Sequence, residues 1–149
     1  MKSPLQPTST SEWETARTVV YPWQCDVMGH LATQNYMRIF DDATYHLLAR
    51  LGYVLRAAQD SQRGWADVNH QIDYREELLA GDLVVAMSSI VRLGRTSITY
   101  HTRLLRAPDD EAACASLTGV AVHFDLRRRI AVELPTEFRA RAAALHNRE

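Results

Sequence analysis

Residues 23–52 read WQCDVMGHLATQNYMRIFDDATYHLLARLG, and the change of period inside this stretch decides the fold. The first part, QCDVMGHLAT (24–33), has no periodicity; with Asp26 and Gly29 it reads as a loop. Beyond it Tyr36, Phe40, Ala43, Leu47 and Leu51 recur at steps of three or four, which is one face of a helix. Thr33 stands where an N-cap stands, and Gly52 where a helix end is capped. The pattern predicts a helix over 33–51.

Upstream, ARTVVYPW (16–23) is β-branched and aromatic, a strand that Pro22 places at an edge or ends. Residues 1–15, rich in Pro, Ser and Thr, are expected to form a flexible leader to a single domain over 16–149. Downstream of the helix, AQDSQRG (58–64) reads as a polar connection. Strands are predicted over 64–75, 83–93, 96–106 and 112–129. LLAGD, Gly94-Arg95 and APDDE form the turns between them. In the 96–106 strand Ile98, Tyr100, Thr102 and Leu104 share a face. A short helix after Pro135 ends the chain. One strand, one long helix and then about four antiparallel strands make an α+β fold, not a doubly wound one. One helix covers one face of a curved sheet, so a homodimer or a tetramer is expected.

Composition narrows the function classes. The net charge is -1, with 17 basic and 18 acidic residues, so no positive field exists to hold a nucleic-acid backbone. No apolar run approaches the roughly 20 residues that span a bilayer. The N-terminal stretch has no apolar signal-peptide core. Cys25 and Cys114 fit no zinc or redox spacing, and His70, His101 and His123 fall one to a strand without paired spacing. We therefore expect a cytoplasmic protein without a metal or a cofactor of its own.

The segment from Trp23 to Gly52 resembles the hot-dog-fold thioesterases of the 4-hydroxybenzoyl-CoA thioesterase type. That family has an acidic loop D-x-x-G followed by a long central helix opening with N-Y. Asp26, Gly29, Asn35, Tyr36 and Gly52 fall on its positions, and Gly29-His30 is the pair common in its acyl-CoA thioesterases. IDYREELLAGDLV and LGRTSI resemble the later segments, so the likeness covers roughly residues 17–135. The run MGHLATQNYMRIFDDATYHLLARLG is also similar to thioesterases associated with carnitine and betainyl-CoA metabolism. Ala32 and Thr33 depart from the family's asparagine pair, which touches the substrate more than the reaction class.

The resemblance implies a long helix wrapped by a curved antiparallel sheet of about five strands. It also implies hydrolysis of a small or medium acyl-CoA to free acid and CoA. Thioester hydrolysis needs a nucleophile or a water-activating base, and a donor for the oxyanion. Asp26 supplies the first by either route. The helix N-terminus supplies the second, through the backbone N–H of Thr33. His30 is a further site candidate, and Gly29, Gln34 and Tyr36 are candidate substrate contacts. Arg92, Arg95 and Ser97 bracket the turn where the family holds the CoA phosphates, and Arg suits phosphate because its fork binds bidentately. Each has an ordinary alternative. Asp26 also fits a turn-capping residue, His30 a loop hydrogen bond, and Asn35 and Tyr36 packing of the first helical turn. Cys25 fits a small buried thiol better than a nucleophile. Arg127, Arg128 and Arg129 fit a solvated strand end as well as a second phosphate contact. Asp41 or Asp42 is a reserve carboxylate, since another thioesterase subgroup uses a helical one. The competing functions are a non-catalytic acyl-CoA- or acyl-carrier-protein-binding module and a hot-dog hydratase or dehydratase.

Overall fold

A computed structural model describes residues 11–107 and 111–146. The order is β1 (Trp13–Val19), a 3-10 turn (Pro22–Gln24), α1 (Thr33–Arg50), α2 (Leu55–Ser61), β2 (Arg63–Tyr74), β3 (Leu83–Leu93), β4 (Ser97–Arg106), β5 (Ala113–Asp125), β6 (Ile130–Ala131) and α3 (Thr136–His146). The five long strands lie in the order β1-β3-β4-β5-β2, and β6 adds to β5. Every pairing is antiparallel. Register shifts interrupt all four main ladders, for example between Asp67 and Asn69 and between Ile90 and Arg92. Such bulges bend a strand and raise its twist, which lets the sheet curl around one helix. This is the α+β hot-dog arrangement that the sequence resembles.

α1 forms where the apolar stripe predicts it. Tyr36, Ile39, Phe40, Ala43, Thr44, Leu47 and Leu48 are its buried face. They share one core with Ile98, Tyr100 and Leu104 of β4, all essentially inaccessible. Each fully buried large side chain contributes roughly 1.5–3 kcal/mol. The helix ends in a Schellman motif. Gly52, at φ +90, takes the left-handed position, while the N–H of Tyr53 bonds to Leu48 O (3.0 Å) and that of Gly52 to Ala49 O (3.0 Å). Inside the sheet a chain of hydroxyls, Thr15–Ser88–Thr102, joins three strands at 2.7 Å per step.

Four expectations change. The N-cap is Ala32, not Thr33; Thr33 is the first helical residue, and Ala32 O already accepts the N–H groups of Asn35 (2.8 Å) and Tyr36 (3.4 Å). The first strand starts at Trp13, so residues 13–15 belong to the sheet and not to a leader. An ion pair from Glu12 to Arg103 of β4 anchors it (2.6 Å); the leader's residues 1–10 lie outside the described residues. The polar connection after α1 contains the helix α2. The last long strand ends at Asp125, and the three arginines after it form the turn into β6. The core of the APDDE turn lies outside the described residues.

Candidate active site

The Asp26 loop is a closed hairpin at the foot of α1. Asp26 N–H bonds to His30 O (2.8 Å), and Gly29 N–H bonds back to Asp26 O (3.0 Å). Gly29 sits at φ +84, a conformation side chains resist. Cys25 and Leu31 face each other in an isolated bridge, as do His30 and Leu79. Leu31 N–H reaches Leu78 O at 2.7 Å. The carbonyl of Gln24 accepts both Ala32 N–H (2.9 Å) and Asn35 Nδ2 (2.8 Å), locking the loop's stem to the first helical turn. Asn35 is therefore a strut.

The Asp26 carboxylate is held by one oxygen. Oδ1 accepts from the N–H groups of Met28 (2.9 Å) and His30 (3.2 Å). Oδ2 has no hydrogen-bond partner among the described residues. The two bonds are those of a turn-capping residue, and they also fix the carboxylate's direction with one oxygen left over. The side chain is partly buried. Thr33 and Gln34 are exposed, and their N–H groups meet no carbonyl among the described residues, as expected of the first helical residues. The loop thus brings a half-free carboxylate and unpaired backbone donors to one place. His30 is half-buried with Nε2 3.6 Å from the exposed Glu77 carboxylate.

Of the remaining candidates, Tyr36 lies in the first turn of α1 and the others lie elsewhere. Tyr36 is buried, its ring edge-on to Tyr74 at 5.1 Å. Burial raises its phenol above the usual tyrosine range. Arg92, Arg95 and Ser97 sit at the β3–β4 turn, while the Asp26 loop bonds to Leu78 and Leu79, just ahead of the other end of β3. Ten residue steps along β3 place the two groups about 30 Å apart within one chain. Arg95 pairs with Glu133 (3.2 Å). Arg139 Nη2 holds the turn through Gly94 O (2.6 Å) and Arg95 O (2.8 Å). Of the three arginines after β5, Arg127 and Arg128 donate backbone N–H groups to Asp125 Oδ1 (3.0 and 2.8 Å), and Arg129 lies over the Phe124 ring.

The structure adds a polar cluster where α1 meets β2. His70 Nε2 lies 3.3 Å from Tyr100 Oη and 3.7 Å from Asp67 Oδ1. Tyr100 is buried, and desolvation pushes its phenol up to about 12. Asp41, on α1, is raised by burial and then by Asp67 and Asp42. Tyr100 and His70 lie thirty residues apart in the chain. Only the pairing of β4 and β2 onto β5 brings them together, so no local spacing could disclose them. Among the described residues no group of three potential metal ligands occurs, and no helix is long and apolar enough to cross a membrane.

The surface around the Asp26 loop is apolar. Val27 is fully exposed, Met28 and Trp23 are largely so, and Trp23 stacks on Tyr21 at 4.5 Å. Known proteins share this architecture. A hypothetical protein of Staphylococcus aureus, determined in complex with CoA, superposes with a TM-score of 0.84 at 16% identity, over 99% of this chain and 90% of its own. A 1,4-dihydroxy-2-naphthoyl-CoA thioesterase from Synechocystis gives 0.78 at 16%, over 89% and 96%. A protein of Pseudomonas aeruginosa strain PAO1 gives 0.76 at 26%, over 87% and 89%. None of the curated proteins matches the chain in sequence. The family description that matches is the thioesterase-like superfamily, over residues 20–142, and with most of its length covered the chain belongs to that superfamily.

Proposed function

We propose that the protein hydrolyses a small or medium acyl-CoA, with Asp26 as nucleophile or general base and the Thr33 N–H as oxyanion donor. The observation that carries this reading is the asymmetric Asp26 carboxylate, with Oδ1 tied to two backbone N–H groups and Oδ2 without a partner among the described residues. In the nucleophilic route Oδ2 attacks the thioester carbon, the C–S bond breaks, and CoA leaves as a thiolate. Water then cleaves the mixed anhydride to free acid and restores the carboxylate. In the general-base route Oδ2 takes a proton from water as that water attacks, and the proton passes to the departing sulfur. Both routes place negative charge on the carbonyl oxygen, which an unpaired helix N-terminal N–H stabilises.

The active unit in this reading is a homodimer. β2 is a twelve-residue edge strand whose residues 67–71 are all exposed, Val68 among them. A long open edge is a template for another strand. Twofold antiparallel pairing of two β2 strands sets Arg63 of one copy near Tyr74 of the other. That swaps the ends of the sheet, so the Asp26 loop of one subunit lies at the same end as the β3–β4 turn of its partner. Arg92, Arg95 and Ser97 then serve the CoA phosphates in trans, which the separation within one chain forbids in cis.

A second reading makes Asp41 the reacting carboxylate. It is favoured by the raised Asp41 carboxyl and the Asp67–His70–Tyr100 contacts between β2 and β4. The deciding experiment is thiol release from a panel of acyl-CoAs by wild type, Asp26→Asn and Asp41→Asn. Loss of a positioned acid–base group costs about 10²–10⁴-fold in kcat. We expect that loss in Asp26→Asn and a smaller one in Asp41→Asn. The reverse ranking transfers the role to Asp41. A wild type inert on every thioester removes the enzyme reading in favour of a binding module or a hydratase.

A further inference from the structure

A cleft of about 410 Å³ opens at the C-terminal end of α1, between Tyr53, Val54 and Ala57 on one side and Arg63, His123 and Glu133 on the other. That volume lies in the range of small-molecule sites. His123 forms its inner wall and is only 4% exposed. Its Nδ1 lies 2.8 Å from Glu133 O. A carbonyl only accepts, so Nδ1 carries the hydrogen, and in that tautomer Nε2 presents a lone pair. Nε2 has no partner among the described residues. The Trp65 ring lies 5.2 Å from that imidazole and Tyr53 lies 5.6 Å from Trp65. The indole N–H of Trp65 is buried without a partner. Trp65 backs His123 and does not line the cleft; the Tyr53 ring beside an unused hydrogen-bond acceptor suits a heteroaromatic base with an amino group.

The cleft shares a wall with the β3–β4 turn. His123 N–H bonds to Thr96 O (2.7 Å), and Leu134 N–H bonds to Arg95 O (3.0 Å). Arg63 lines the cleft, and Arg95 reaches it through its ion pair with the lining residue Glu133; Arg63 pairs with Asp125. The turn carrying Arg127–Arg129 follows directly. This end of the molecule is basic although the chain as a whole carries a net charge of -1.

We propose that this cleft binds the adenine of the coenzyme A carrier, and that it does so for the Asp26 of the partner subunit. The proposal rests on the thioesterase reading and its dimer. α1 alone separates the Asp26 loop from the cleft by about 27 Å within one chain, and the twofold pairing brings the partner's cleft to the Asp26 end. The adenine amino group donates to His123 Nε2, the ring faces Tyr53, and the phosphates run to Arg95 and its turn. An acyl carrier protein presents the same phosphopantetheine arm without a nucleotide. An adenine site therefore names CoA as the carrier.

The test presents one acyl group on CoA and on pantetheine to wild type, Ala57→Phe and Val54→Trp. Both substitutions fill the cleft from exposed rim positions, and the second guards against misfolding of the first. Binding of adenosine 3′,5′-bisphosphate to each protein is measured by calorimetry alongside. Wild type should favour the CoA thioester, and both variants should raise its KM about tenfold or more, narrowing the gap to the pantetheine thioester. The bisphosphate should bind wild type saturably and the variants about tenfold more weakly. If the variants keep the wild-type KM and bisphosphate affinity, the adenine site is overturned while hydrolysis stands. If wild type cleaves neither thioester, the thioesterase reading fails and the calorimetry decides the cleft alone; absence of saturable binding refutes it.

Discussion

Gly119→Ala tests the packing that holds the polar cluster between α1 and β2. A Cβ at position 119 would lie 2.4 Å from Cζ and 2.5 Å from Oη of Tyr100, and 2.9 Å from its Cε1. Ordinary contact needs about 1 Å more, so the ring must move. It has little room, being 2% exposed between β4 and the helix. Overpacking of this kind costs about 1–3 kcal/mol. Moving the phenol also breaks its contact with His70, and a buried hydroxyl left unsatisfied costs a further ~1–3 kcal/mol. Replacing a strand glycine returns about 0.5–1 kcal/mol of chain entropy. The expected net loss is about 3 kcal/mol, a large share of a stability of roughly 5–15 kcal/mol. Urea unfolding at fixed protein concentration reads it as a lower midpoint with an unchanged slope. In a Tyr100→Leu background the same substitution should cost less than about 1 kcal/mol, because the obstructing ring is gone. A loss below about 0.5 kcal/mol in the wild-type background would show that Tyr100 does not occupy this position.

Two further outcomes are expected. Burial lowers the His101 imidazole below its ordinary range, so the folded state favours the neutral ring while the unfolded chain protonates from about pH 6.5 downward. Stability should be insensitive to this group above that pH and fall as pH drops through 6.5 towards the folded value. His101→Gln, which can keep the contact with Thr118, should flatten that decline in urea midpoints between pH 7.5 and 5, and an equally steep decline would acquit His101. Gly29→Ala, at φ +84 with open space around it, should cost about 1–2 kcal/mol of loop strain and no core contact. Thiol release should drop with it, because Met28 and His30 orient Asp26 through backbone on either side; undiminished turnover would mean the loop's shape does not matter.

Local physics explains which parts were legible. α1 could be read because its buried stripe and its Gly52 terminus are both recorded at helical spacing. Its start at Thr33 is read correctly, but the cap falls one residue earlier, at Ala32, because the capping is tertiary: the Gln24 carbonyl, not a threonine hydroxyl, organises the first turn. β1 begins earlier than its β-branched core because an ion pair from Glu12 to a strand two places away in the sheet extends it. α2 hid because LRAAQDS is a good helix former with no apolar stripe. On β5 hydrophobicity points the wrong way: Ala121, His123 and Asp125 are buried, while Val120, Val122 and Phe124 are half-exposed. The Asp26 loop was legible because its bonds are local. The distance between Asp26 and Arg95, the Asp67–His70–Tyr100 contacts and the His123 cleft were not, since each depends on strand pairing between distant segments.

The single long helix that runs from the Asp26 loop to the cleft acts as a ruler. Inserting one residue anywhere in it would turn everything beyond by about 100° and advance it by about 1.5 Å. Such a change would move the buried stripe off the sheet and shift the two ends out of step. Exchange of side chains on its exposed face, at Arg38, Asp42 or His46, alters neither quantity. Change of length in this molecule is therefore confined to the turns, and the spacing between its two ends is a quantity that drift in sequence leaves untouched.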